Sequence, residues 1–229
     1  MPDDDKSLDL IGIEKVVKSL PKQSIKDVID VSIYTFNKAV SPILETTAGL
    51  GRLIKVKFDS LVDVQKVYAV EALMKANEKV KKASHEKKEK VIPKARIIID
   101  SVENVSNETD DNLRDIWSNL IANELLTADV HPEFPRILKR LSVQDAQTLI
   151  SIVESDKNLH LAFKTLAHAF ALSMNSAISP FVISKYHDFS HEHLERLGLI
   201  TFESSGWKLT LLGQEFLKAV TDPSLEEEK

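Results

Sequence analysis

The chain has 229 residues, of which 43% are apolar and 28% charged, with a formal net charge of −5. That length allows one large domain or two modest ones, and the apolar share is enough for a packed core of ordinary globular type. Only 6 glycines argue against a sheet rich in tight turns, and the absence of cysteine excludes disulfides, thiolate metal sites and cysteine nucleophiles together.

The opening decapeptide MPDDDKSLDL is acidic and lacks an apolar centre, so no secretory signal is expected and the predicted location is the cytoplasm. Helices are predicted near 8–19, 24–40, 42–90 and 94–106. The third is expected to break near Gly49 and Gly51 if it breaks at all. Ser41-Pro42 places a hydroxyl cap before a proline at the first helical position, and Pro93 ends the long helix near Val91.

Charge is unevenly spread along this half. From Lys75 to Arg96 there are nine lysines and arginines against Glu78, Glu86 and Glu89; from Asp100 to Glu133 there are nine carboxylates against Arg114. A solvated helix face explains the basic run, and so does a surface for nucleic acid or anionic lipid. Lys75, Lys79, Lys82, Lys87, Lys90 and Lys94 are the candidate interaction residues.

From 108 to 126 the sequence is amphipathic, with Leu113, Ile116, Trp117, Leu120, Ile121 and Leu125 on one stripe and an acidic first turn suited to the helix dipole. Trp117 reads as a core anchor. A shorter helix is expected from Pro132, with His131 at its entry, burying Phe134, Ile137, Leu138 and Leu141. Ser142 and Asp145 form a capping box that opens a helix over 142–154, and another is predicted over 160–173. The uncharged run from Thr165 to Ser184 is long enough to cross a bilayer. His168, Asn175, Pro180 and several serines make that costly, so it reads as two buried helices and their connection.

The stretch HLERLGLITFESSGWKLTLLGQEFLKA, His193 to Ala219, reads as helix, glycine stop, two-stranded wing and helix. Ser190 is the expected cap of the first helix, Gly198 its left-handed stop and Thr210 the cap of the last. With the two helices before it, this order is the end of a winged-helix module. Its would-be recognition helix carries Arg196 against Glu192 and Glu195, and the wing offers Lys208 alone. Such a surface predicts no nucleic-acid binding through the winged end, and burial of Leu194, Leu197, Phe202 and Trp207 against the preceding helices. His187, His191 and His193 are expected as surface histidines without a metal. No phosphate loop, nucleophile elbow or zinc-protease motif occurs, so neither an enzyme nor a cofactor is expected.

Several motifs recur together in this order: Ile116-Trp117-Ser118-Asn119-Leu120-Ile121-Ala122; His131-Pro132-Glu133-Phe134-Pro135-Arg136-Ile137-Leu138; Leu141 to Ala146; Leu194 to Ile200; and Leu209 to Gly213. In that combination, over roughly 40–220, the chain resembles the abortive-infection alpha family of bacteria and phages. The resemblance implies a role in bacterial defence against phage and assigns no catalytic residue. The expected architecture is mainly α-helical: a long-helix region over 1–129, a winged-helix-like region over 130–221 with one small hairpin, and an acidic tail over 222–229. The expected activity is that of an interaction protein with a protein partner or a second copy. A DNA-binding regulator using the winged end, and a peripheral membrane effector using the basic helix, are the alternatives.

Overall fold

The computed structural model describes residues 48–83, 91–155, 188–204 and 206–225. Within them lie eight α-helices and one antiparallel hairpin. The helices are α1 (Ala48–Asp59), α2 (Asp63–Ala83), α3 (Ala95–Val105), α4 (Asp111–Thr127), α5 (Phe134–Arg140), α6 (Val143–Ser155), α7 (Phe189–Arg196) and α8 (Leu211–Val220). The hairpin strands are β1 (Ile200–Glu203) and β2 (Gly206–Leu209), and a 3-10 turn, Pro223–Leu225, follows α8. The mainly helical class read from the sequence holds. The helices expected over 8–19, 24–40 and 160–173, the run from Thr165 to Ser184, and the residues Lys87, Lys90, His187 and 226–228 lie outside the described residues.

The long helix expected over 42–90 does break, but at Ser60–Val62 rather than at the glycines, which α1 absorbs. Side chains make the break there. The Ser60 hydroxyl donates to the Lys57 carbonyl at 2.6 Å, and Gln65 Oε1 accepts from the Val62 N–H at 3.0 Å. The turn lets Ile54 and Phe58 reach α3 and bury against it, which a straight continuation into α2 would prevent.

The most central element is α4, which packs against α2, α3 and α8. Asp110 caps it, accepting from the N–H groups of Asn112 and Leu113 at 3.0 Å each. Its two sides serve two apolar clusters. Ile116, Trp117 and Leu120 meet α5 and α6 residues such as Phe134, Leu138 and Leu149, together with Leu194 and Phe216. Ile121 and Ala122 meet Ile54, Phe58, Leu73 and Ile98. Trp117 is 1% exposed, the core anchor its spacing suggested. Burying a side chain of that size contributes at least ~1.5–3 kcal/mol, so the stripe on α4 is a principal source of stability.

The short helix begins at Phe134 rather than at Pro132. His131 Nδ1 accepts from the Glu133 N–H, and the entry turn is complete before the helix starts. The capping box opens α6 as read: Ser142 Oγ accepts from the Asp145 N–H at 3.1 Å, and Asp145 Oδ2 accepts from the Ser142 N–H at 2.9 Å.

At the C-terminal end Gly198 stops α7 with φ +74°. The Leu199 N–H returns to the Leu194 carbonyl and the Gly198 N–H to that of Glu195, the double bond of a left-handed helix stop. Ser190 is not the cap of α7. Asp188 is, accepting from the His191 N–H at 3.0 Å, while Ser190 is buried. Thr210 caps α8 through the Gly213 N–H and itself donates to the Gly198 carbonyl. Gly213 lies so close to β1 that a Cβ there would stand 2.1 Å from the Leu199 carbonyl oxygen.

Candidate functional site

The basic residues singled out in the sequence do not share one surface. Lys82 is exposed. Lys75 is half-buried and pairs with Glu71 at 2.9 Å, one helical turn away. Lys94 stands apart at the start of α3, where its ammonium donates to the Val130 carbonyl at 2.9 Å. Lys79 faces inward, 9% exposed, and is a structural cation rather than part of a solvated face. Its position could have been read from helical spacing, because Ala72, Ala76 and Ala83 lie on the same buried side of α2.

Around Lys79 the structure builds a polar centre that charge counting missed. The ammonium donates to Asp115 Oδ1 at 2.9 Å, Ser118 Oγ at 2.8 Å and Asn119 Oδ1 at 2.6 Å. Burial pulls its pKa below the ordinary lysine value, against the opposing pull of Asp115 and Asp222. A hydroxyl so near an amine is the geometry of an activated serine. Ser118, however, is fully buried and donates its proton to the Asp115 carbonyl at 2.6 Å, so in this closed fold the pair is a packing link. The Asn119 amide extends the chain of bonds to the Val220 carbonyl at 2.9 Å.

A neighbouring network fixes α4 to α2. Arg114 donates to the carbonyls of Glu108 and Thr109 and to Asp111, lies 3.5 Å from Glu71 and sits 4.3 Å over the Tyr68 ring. At the other end of α4, buried Glu124 accepts from the Lys94 N–H, and its second oxygen has no hydrogen-bond partner. Burial raises the Glu124 pKa, against the hydrogen bond from the Lys94 N–H and the nearby Lys94 charge.

The histidines of the C-terminal end are less exposed than expected, because α7 lies against α6 and β1. His191 is buried, with Nδ1 2.8 Å from Asp188 and its ring 5.2 Å from Trp207. Partial burial raises the Asp188 pKa, but hydrogen bonds from the ring and N–H of His191 outweigh it and hold the carboxyl below its ordinary value. His193 is half-buried, with Nδ1 3.0 Å from Asp145. Each histidine thus meets a different carboxylate. Among the described residues no group of three or more metal-ligating side chains converges.

Cation by cation, the expected recognition surface is locally paired: Arg196 with Glu192, and Lys208 with Glu203 at 2.8 Å. The expectation of buried aromatics is half met. Ile200 pairs with Leu209 at the base of the hairpin, and both are buried. The next pair on that face is Phe202 with Trp207, and there Trp207 is half-buried while Phe202 is 63% exposed. The hairpin carries Phe202 past the edge of the core while Trp207 still packs against it, and the two rings meet at 5.0 Å. Phe189, at the start of α7, is 78% exposed.

The family model described as abortive infection alpha matches residues 68–220. The chain belongs to that family. No curated protein matches it, and no solved structure does. The match begins in α2 and ends with α8, so in this abortive infection alpha protein it contains the Lys79 centre, the α4 stripe, the capping box and the hairpin. Among the described residues no helix is long and apolar enough to cross a membrane.

Proposed function

We propose that this protein acts in abortive infection as an effector that works by binding another protein rather than by catalysing a reaction. The observation that carries the reading is the family match over 68–220, which associates the chain with phage defence. Two features support the binding part. The buried ammonium of Lys79 is bonded to three side chains of the fold itself. The exposed rings of Phe189 and Phe202, on α7 and the hairpin, offer the kind of aromatic anchor that protein interfaces use.

Phage plating tests both parts. Cells carrying the gene should give fewer plaques than cells carrying an empty vector. A Phe189→Ser, Phe202→Ser double variant that folds normally should lose the protection. Unchanged plaque counts across a diverse phage panel would overturn the defence reading. Full protection by the double variant would overturn the assignment of the aromatic surface.

A further inference from the structure

Eight large apolar side chains stand exposed among the described residues, and seven of them fall into two groups. Leu53 and Val56 lie on α1, and Val62 and Val64 follow where the chain turns into α2. Phe189 opens α7, Phe202 lies on β1 and Leu211 opens α8. Exposed apolar residues scattered singly are ordinary on a surface, whereas groups of them mark a contact. Both groups are exposed in the folded chain, so neither covers the other.

The charges beside the two groups are opposite in sign. α1 carries Arg52, Lys55 and Lys57 against Asp59, while α7 with its cap carries Asp188, Glu192 and Glu195 against Arg196. Arg52, Lys55 and Glu195 are exposed and have no charged partner among the described residues. Helical spacing divides both surfaces in the same way. Around the exposed side of α7, His191 lies against Trp207 of the hairpin, Glu195 and Glu192 come next, and Phe189 stands at the far margin with its ring stacked on His193. Around the exposed side of α1, opposite buried Ile54 and Phe58, Lys55 and Arg52 lie to one side and Val56 and Leu53 to the other. Each surface is charged along one half and apolar along the other. We propose, resting on the reading of the aromatic surface as a protein-binding site, that its partner is a second copy of this chain: α1 of one copy lies along α7 of the next, with Leu53 and Val56 against Phe189 and Lys55 against Glu195. An α1 of 12 residues is ~18 Å long and spans the whole of the 8-residue α7. The contact joins two different faces, so copies add head to tail, closing into a ring or running on as a filament.

The test is the mass of the full chain in solution, by sedimentation velocity over a range of concentrations. The wild type should rise above the mass of one copy as concentration increases at low salt, and fall back as salt is added, because the matched charges are exposed. A Leu53→Ser, Val56→Ser variant and a Phe189→Ser variant should each stay monomeric. Mixed, they should pair one to one, since each brings the intact face that the other lacks. Lys55→Glu should weaken assembly about fivefold, as for the loss of an exposed ion pair, and Glu195→Lys in the same chain should restore it. All these positions are exposed, so the variants should fold normally, and the charge swap keeps the test open if an apolar variant does not. A wild type that stays monomeric would overturn the proposal, and its binding to vesicles of anionic phospholipid, lost in Lys55→Glu, would give α1 to a membrane surface instead. A mixture that stays monomeric, or an assembly that either variant forms alone, would overturn it too. If the wild type is monomeric while the Phe189→Ser, Phe202→Ser variant loses protection in plating, self-association falls and the protein-binding reading stands with a different partner.

Discussion

Lys79→Met isolates the buried ammonium while keeping most of its aliphatic stem. Three hydrogen bonds are lost, and they are not equal. Asn119 is fully buried, so the loss of its charged donor falls on a group that water does not reach, costing ~1–3 kcal/mol. Asp115 keeps 23% of its side chain exposed and has Lys75 3.9 Å away, so solvent and that second cation make up much of its loss, leaving ~0.5–1 kcal/mol. Ser118 still donates to the Asp115 carbonyl. Against these stands relief from burying an ammonium, which offsets part of the total. The net expectation is a destabilisation of ~2–3 kcal/mol, at or below the low end for breaking a buried ion pair because one partner reaches water. Urea denaturation reads it as a lower midpoint with an unchanged slope. The sign of the pH dependence is a second check. The folded-state pKa of Lys79 is lowered, so the unfolded chain binds the extra proton, and the wild type should gain stability as pH rises from the folded value towards about 10.4. Lys79→Met should remove that gain. A midpoint equal to or above the wild type would refute the reasoning, showing that desolvation outweighs the three bonds.

Gly213→Ala places a methyl 2.1 Å from the Leu199 carbonyl, which neither α8 nor β1 can avoid without separating. A loss of more than ~3 kcal/mol is expected, beyond the usual overpacking cost, and a melting temperature within a degree or two of the wild type would contradict it. Glu124→Gln keeps an acceptor for the Lys94 N–H but removes the titration. Because the Glu124 pKa is raised on folding, the stability it contributes is present below about 4.3 and lost as pH rises through the folded value. The variant should therefore gain on the wild type as pH rises above about 4.3, and an offset independent of pH would count against the buried carboxylate. Arg196 and Lys208 each have a carboxylate partner, so the hairpin end should add nothing to DNA binding, and Arg196→Glu should leave the full chain's affinity for labelled duplex DNA at about 50 mM salt unchanged. Micromolar binding that weakens steeply with salt and is lost in Arg196→Glu would show that the hairpin end reads DNA.

Local signals in the sequence determined much of the described fold. The Ser142–Asp145 box, the Gly198 stop, the Thr210 cap and the α4 stripe each act within one or two helical turns, so residue type and spacing were enough to place them. The family's motif segments carried the abortive infection alpha membership in the same way. Other features were decided only by packing. Lys79 and Asp115 are 36 residues apart, and Asn119 and Val220 are 101 apart, so no window on the sequence could join them. Charge counting put Lys79 on the surface because it tallies residues without asking which side of α2 meets α4. The aromatic pair at the hairpin tip shows the converse. Their apolar character led to the expectation that Phe202 and Trp207 would be buried, but only the reach of the strands relative to the core decided that Phe202 is 63% exposed. Periodicity determines which face a side chain is on; what covers that face depends on elements far away in the chain.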